Sequence, residues 1–298
     1  MSAHPAPAAP TARVALATCA ELPELDEDET APIAPLAARG IAAEPAVWDD
    51  PKVDWDAYDL VVVRSTWDYF ERRDAFVAWA ETVPRLANPA DVIRWNTDKT
   101  YLRELAAADV PVAETTWLTP DRAGPLPTDG EYVVKPAVSG GSRDTGRYDL
   151  ADPGQRALAA GLATRLLAEG RTVMVQPYLH AVDTVGETAL LFLGGHYSHA
   201  IRKDALLDGP VEEIGLYKPE TVGPRTATDS ELHAAQRALA AVPGGAERLL
   251  YARVDVIPDA DGRPVVLELE LTEPSLFLRY ADGAPERFAD AVAAHLKR

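Results

Sequence analysis

The 298-residue sequence predicts two architectures in series, a parallel α/β unit at the front and an α+β body of antiparallel strands behind it. Three observations carry that expectation. Residues 58–63 (YDLVVV) are apolar on both faces, as strands are when a parallel sheet is covered on both sides. Residues 186–193 and 196–203 flank Gly194-Gly195, which reads as a tight antiparallel hairpin. A second hairpin is written across residues 251–274, where Asp259-Ala260-Asp261-Gly262 separates two runs rich in Val, Ile and Leu.

Taken in order, residues 1–12 (MSAHPAPAAPTA) are rich in Ala and Pro and lack a basic start and a long apolar run, so a disordered tail is expected. Residues 13–19, 41–48 and 58–63 read as the strands of the front unit, with a helix at 30–39 where apolar positions recur at helical spacing. A helix is expected at 74–83. Asn88-Pro89 marks a break, and Asp98 caps a helix over 99–108. A strand at 112–118 leads into a Pro/Gly-rich link, 119–130, which marks a subdomain boundary. Residues 131–148 (EYVVKPAVSGGSRDTGRY) are a β-branched strand running into a Gly-rich loop. An amphipathic helix at 155–169 precedes a strand at 172–179 that stops at Pro177. Residues 204–225 show little periodicity and read as a mobile lid. Helices with acid and hydroxyl caps at 229–242, and with Pro in the first turn at 285–298, complete the chain. The expected organisation is a tail at 1–12, a front domain at 13–98, a central subdomain at 99–180 and a C-terminal subdomain at 181–298.

Hydrophobic content of 47% and 26% charged residues are ordinary for a globular protein. The formal net charge of −18, from 47 acids against 29 Lys and Arg, argues against a nucleic-acid binder, which depends on basic clusters. It leaves room for a nucleotide site, which needs only local cations. Cys19 is the one cysteine, so no intrachain disulfide or thiolate cluster is possible, and its apolar run reads as a buried inert thiol. No run approaches the roughly eighteen apolar residues of a membrane span, so the cytoplasm is the expected location.

Sites in parallel α/β units lie at the carboxyl ends of the strands. Arg64, Ser65, Trp67 and Asp68 follow the third strand, and Glu21, Asp26, Glu27 and Asp28 follow the first. Arg64 there either holds a substrate carboxylate through a bidentate contact or closes a salt bridge to a nearby acid. Lys135 lies inside a strand, where an ammonium is unfavourable unless an anion meets it. Ser139-Gly140-Gly141-Ser142 lets backbone N–H groups approach a phosphate, although neither standard nucleotide Gly motif is present. Alone the loop also reads as a plain turn; with Lys135 the phosphate reading is the stronger. In the last hairpin a turn near Asp261 sets Asp255 opposite Glu268 and Arg253 opposite Glu270, gathering three acids and one Arg on one face. Like charges across a ladder call for a cation between them, and oxygen ligands without His or Cys favour Mg²⁺ or Mn²⁺. A solvated acidic face is the bland alternative. Arg202 and Lys203 end the strand expected beside this hairpin.

This order of pieces resembles the ATP-grasp superfamily over nearly the whole chain from about Arg13. It includes a front α/β unit, a Lys before a helix, a Lys before a Gly/Ser loop, a Q-P-Y-L strand end, then R-V-D-V and E-L-E on a hairpin. The resemblance implies two α+β subdomains that clamp ATP and phosphorylate a carboxylate before an amine attacks it. It implies phosphate-binding lysines at Lys99 and Lys135, and a flexible phosphate loop at Ser139, Gly140, Gly141 and Ser142. The adenine-contacting linker falls on Gln176, Pro177, Tyr178 and Leu179, and the ribose partner on Asp183 or Glu187. Arg202 and Arg253 match the catalytic cations, and Asp255, Glu268 and Glu270 the ligands of Mg²⁺ or Mn²⁺, with two ions expected. The family usually has Asn where Glu270 lies, so either Glu270 or Glu273 completes that set. The details RSTWDY, NTDK, SHAIRK and LELTEPSLF are similar to the cyclo-ligase group that closes O-ureido-D-serine to D-cycloserine, a step of antibiotic biosynthesis. Arg64, Ser65, Trp67, Asp68 and Asp28 are then the candidates to grip a small amino-acid-like substrate. A homodimer stays open as the assembly. The rival readings are an intermolecular carboxylate–amine ligase, which needs two substrates besides ATP, a non-catalytic nucleotide-binding module, and a plain acidic scaffold with no response to Mg-ATP.

Overall fold

The computed structural model describes residues 11–211 and 220–298. Strands β1 (Ala12–Thr18), β2 (Ile41–Val47), β3 (Leu60–Val63) and β4 (Leu86–Ala87) form a parallel sheet in the order β2-β1-β3-β4. Every residue of β3 is buried, as its unbroken apolar run requires. The expected tail is cut short at its far end, since Ala12 already pairs with Ile41; residues 1–10 lie outside the described residues. The first helix covers only Ile33–Ala37, not 30–39, because it begins behind Pro32 and Gly40 ends it at φ 74°.

β5 (Thr116–Leu118), β6 (Glu131–Pro136), β7 (Gly146–Asp149) and β8 (Val173–Pro177) form an antiparallel sheet in the order β5-β8-β6-β7. Two expectations change here. Of residues 112–118 only the last three join this sheet, while Val112 bridges Val266 of a different one. The Gly-rich stretch is shorter than expected, because its final residues pair with β6 as β7. Helix Pro153–Ala168 covers this sheet, opened by the Asp152 carboxylate, which accepts from the Gln155 N–H at 2.8 Å.

β9 (Glu187–Leu193), β10 (His196–Lys203), β11 (Val222–Arg225), β12 (Tyr251–Pro258) and β13 (Pro264–Glu270) form the third sheet, antiparallel in the order β11-β10-β9-β12-β13. The expected lid therefore ends in an edge strand, β11; residues 212–219 lie outside the described residues. The last hairpin pairs Asp255 with Glu268 and Arg253 with Glu270 as expected, then slips by one at a bulge between Asp255 and Val256. Helix Asp229–Ala240 opens with a capping box between Thr228 and Glu231.

The parallel sheet, one face of the third sheet and helix Ala284–His295 share a core built on Leu16, Leu36, Leu191, Ile201 and Phe288. The other face of the third sheet packs on helices Tyr101–Ala107 and Asp229–Ala240. Helix Ala90–Asn96, where only a break was expected, starts directly behind Pro89 and carries Asn96 to β13. There the Asn96 amide donates to the Leu269 carbonyl and accepts from the Leu271 N–H, each at 2.7 Å. Cys19 is fully buried, and burial pushes its thiol up to about 11. Among the described residues no helix is long and apolar enough to cross a membrane.

Candidate active site

A cavity of about 390 Å³ opens between the second and third sheets, closed at one end by the turns after β1 and β3. Its floor is the alternating face of β12 and β13, which presents Arg253, Asp255, Glu268 and Glu270. Lysines enter from other elements. Lys135 of β6 reaches Glu268 at 3.0 Å. Lys99 donates to the Ser139 carbonyl at 3.0 Å and lies 3.9 Å from Glu268. Lys203 of β10 crosses β9 to touch Glu187 at 2.7 Å and Asp255 at 3.2 Å. Arg253 lies along Asp255 with its Nε 2.9 Å from Oδ1, and also donates to Glu270.

The result is a floor of alternating charge in which position decides protonation. Burial opposes the charge on Glu268, yet Lys99 and Lys135 hold its carboxyl well below the usual range. Asp255 is held down too, Arg253 and Lys203 outweighing its burial. Burial pushes Glu270 up to about 8 against the pull of Arg253, with Asp255 and Glu268 adding repulsion. Burial likewise raises Glu187 and Glu273 to about 7.

The roof is the Gly-rich loop, from which Ser139, Gly140, Gly141 and Ser142 all line the cavity. Gly140 lies against the Phe70 ring, where an added Cβ would come within 3.2 Å of Cδ1. Gly141 and Ser142 take positive φ, 57° and 63°, and Arg165 and Arg171 clamp the far side of the loop through Asp144 at 2.6 and 2.7 Å. Gln176, Pro177, Tyr178 and Leu179 form one wall. The Gln176 amide donates to Thr115 at 2.9 Å, and the Arg147 guanidinium lies over the Tyr178 ring, 3.6 Å from its centroid. Of the two ribose candidates Glu187 lines the cavity, whereas Asp183 accepts from the Tyr178 hydroxyl at 2.6 Å and pairs with Arg147.

Several expected residues are placed elsewhere. Arg202 is the neighbour of Lys203 and so points to the opposite face of β10. It donates to the Val185 carbonyl at 2.7 Å and pairs with Asp204, and Lys203 occupies the place expected of it. Arg64 is 1% exposed; its guanidinium grips Glu29 bidentately at 2.5 and 2.6 Å and donates to the Pro274 carbonyl. It is therefore not offered to a substrate carboxylate. Ser65 is buried and accepts from the Asp26 N–H. Asp68 is buried and accepts from Trp48 and Arg72. Trp67 and Asp28 do line the cavity, with Asp28 accepting the N–H groups of Leu278 and Arg279. Sequence reasoning missed Tyr69 as a lining residue, although it shares the strand-end turn with Trp67. Glu273 also lines the cavity. Among the described residues no three His, Cys, Asp or Glu side chains are grouped around a single ion position; the acids of the floor are held by Lys and Arg instead.

A model of the N-terminal domain of the D-cycloserine synthetase DcsG matches residues 14–88. The cycloserine biosynthesis protein DcsG of Streptomyces lavendulae is 42% identical over 282 residues, covering 87% of this chain and 90% of the relative. The chain belongs to the DcsG family. The crystal structure of D-cycloserine synthetase DcsG superposes with a TM-score of 0.83 at 39% identity, over 95% of this chain and 99% of that one. A RimK-domain ATP-grasp protein from Sphaerobacter thermophilus shares the fold at a TM-score of 0.65 and 20% identity, over 94% and 99% of the two chains. The DcsG-family chain thus has the ATP-grasp fold anticipated from its motifs, and is an ATP-dependent ligase.

Proposed function

We propose that this ligase is an ADP-forming cyclo-ligase, joining the carboxyl carbon and a nitrogen of one small amino-acid-like molecule, with O-ureido-D-serine as substrate and D-cycloserine as product. The observation that carries the reading is the charge-alternating floor, with Glu268 between two lysines and Asp255 between Arg253 and Lys203, beneath a Gly-rich roof. Such a surface suits phosphoryl transfer, where positioning and charge stabilisation do most of the work and no side-chain nucleophile is required.

In this reading a carboxylate oxygen attacks the γ-phosphorus and ADP leaves. The nitrogen then attacks the acyl carbon, phosphate departs with the electrons of the broken C–O bond, and the nitrogen loses a proton. Water then adds across the bond between that nitrogen and the carbamoyl carbon, so the carbamoyl group leaves as carbamate and the ring nitrogen takes the proton. Lys99 and Lys135 hold the nucleotide phosphates, the adenine lies along Gln176–Leu179, and Glu187 takes the ribose. Arg253 and Lys203 offset charge at the transferring group, while the Gly-rich loop excludes water. Trp67, Tyr69, Asp28 and Glu273 shape the substrate end. Asp255, Glu268 and Glu270 are not grouped around one ion position, so in this reading these all-oxygen ligands are divided between two ions, Mg²⁺ or Mn²⁺. A metal held there would supply neutralisation of the nucleotide's phosphate charge. An ADP-release screen with Mg-ATP against small amino acids, singly and in pairs, tests the reading. Release with O-ureido-D-serine alone is expected, and release only with pairs would make the enzyme an intermolecular ligase.

A further inference from the structure

Between β13 and the 3₁₀ turn Leu278–Tyr280, residues 271–277 have no regular secondary structure, yet six consecutive carbonyls each accept from a different side chain. Asn88 donates to the Leu271 carbonyl at 2.7 Å and Tyr251 to that of Thr272 at 2.8 Å. Trp67 donates to Glu273 at 3.1 Å and Arg64 to Pro274 at 2.6 Å. Arg253 donates to Ser275 at 3.2 Å and His199 to Leu276 at 3.0 Å. The donors come from the turn after β3, the β4 end, β10 and β12, so the segment is hung from both sheets instead of joining either.

The next residue shows what this suspension holds. Phe277 sits at φ 49° and ψ 39°, a left-handed conformation that a bulky side chain keeps only where its surroundings over-determine it. That backbone lays the Phe277 ring beside Arg253, whose guanidinium carbon is 5.6 Å from the ring centroid. His199 is the last support before Phe277. It is buried, and burial pushes its ring down to about 4, so it is neutral. The Leu276 carbonyl only accepts, so Nε2 carries the hydrogen and Nδ1 must accept. Ser198 supplies that donor at 2.9 Å, its own hydroxyl oxygen taking the Arg287 Nε–H at 2.9 Å. Arg287, Ser198 and His199 thereby form a relay that fixes one tautomer.

We propose that His199 is a positioning residue for phosphoryl transfer, acting through the Leu276 carbonyl and the Phe277 ring on the guanidinium of Arg253. The proposal rests on the reading of Arg253 as a cation at the transferring group. Steady-state kinetics of the full chain test it, with ATP and O-ureido-D-serine varied separately. His199→Leu removes the donor, and is expected to lower kcat roughly tenfold to hundredfold while leaving the KM for ATP within about twofold. His199→Gln, whose amide reaches the same carbonyl, should recover most of the loss. Ser198→Ala frees the other tautomer and should give a smaller loss of kcat in the same direction, which decides the matter even if His199→Leu fails to fold. Equal losses in His199→Leu and His199→Gln, or wild-type kcat in Ser198→Ala, would overturn the proposal. Arg253→Lys separates the two levels: its full activity beside an impaired His199→Leu defeats the reading of Arg253, whereas an impaired Arg253→Lys beside a fully active His199→Leu defeats the positioning role alone.

Discussion

Replacing Arg64 by Leu is expected to act on stability first. Arg64 and Glu29 are both almost wholly buried and share two hydrogen bonds. Removing one partner strands a buried carboxylate, which costs about 3–5 kcal/mol. In a chain of this size that lowers Tm by roughly 6–20 °C. Burial already pushes the Glu29 carboxyl up with Arg64 pulling it down, so losing the guanidinium raises it further. A carboxyl whose folded pKa exceeds its unfolded value of about 4.3 contributes stability that is complete below that value and lost as pH rises through the folded one. The deficit of Arg64→Leu should therefore shrink when thermal melts are run at pH 5.5 instead of pH 8. The double change Glu29→Leu with Arg64→Leu should recover much of the loss, because no charge is left buried. Effects on turnover then enter through the Pro274 carbonyl. A melt within about 2 °C of wild type, accompanied by a raised KM for the amino-acid substrate, would refute this reasoning and return Arg64 to the substrate.

Lys135→Ala removes a charge-assisted contact and should raise the KM for ATP about tenfold to hundredfold; an unchanged KM takes Lys135 out of the phosphate site. Glu268→Gln should lower turnover by roughly a hundredfold or more with the fold intact by circular dichroism, and retained turnover in saturating Mg²⁺ would remove Glu268 from the metal set. Lys203→Met should lower kcat while Arg202→Ala leaves it within about twofold. The reverse ordering would restore Arg202 to the site.

The last hairpin was legible as a hairpin, but the turn Asp259–Gly262 alone sets Val256 opposite Val266, a register that would face Asp255 with Leu267; the one-residue shift at the bulge is what brings Asp255, Glu268, Arg253 and Glu270 onto one floor. The bulge beyond Asp255 was not legible, since nothing in the local sequence distinguishes a slipped pair of Val residues from a regular one. Arg202 and Lys203 show the same limit. Adjacent cations at a strand end are separated only by which face meets the site, and Lys203 was chosen by β9 lying between β10 and β12. Arg64 could be read two ways at the end of β3, and its partner Glu29 is 35 residues away, a pairing only tertiary packing decides. The support of residues 271–276 was hidden for the same reason, because its donors come from distant parts of the chain.

In the proposed reaction the carboxyl group of one substrate molecule is phosphorylated on this floor before its own nitrogen closes the ring. Turnover of O-ureido-D-serine labelled with ¹⁸O in the carboxylate, with mass analysis of the released phosphate, tests it most directly. One ¹⁸O in each phosphate and one ADP for each ring formed are expected. Unlabelled phosphate, or ring formation without ADP, would contradict it.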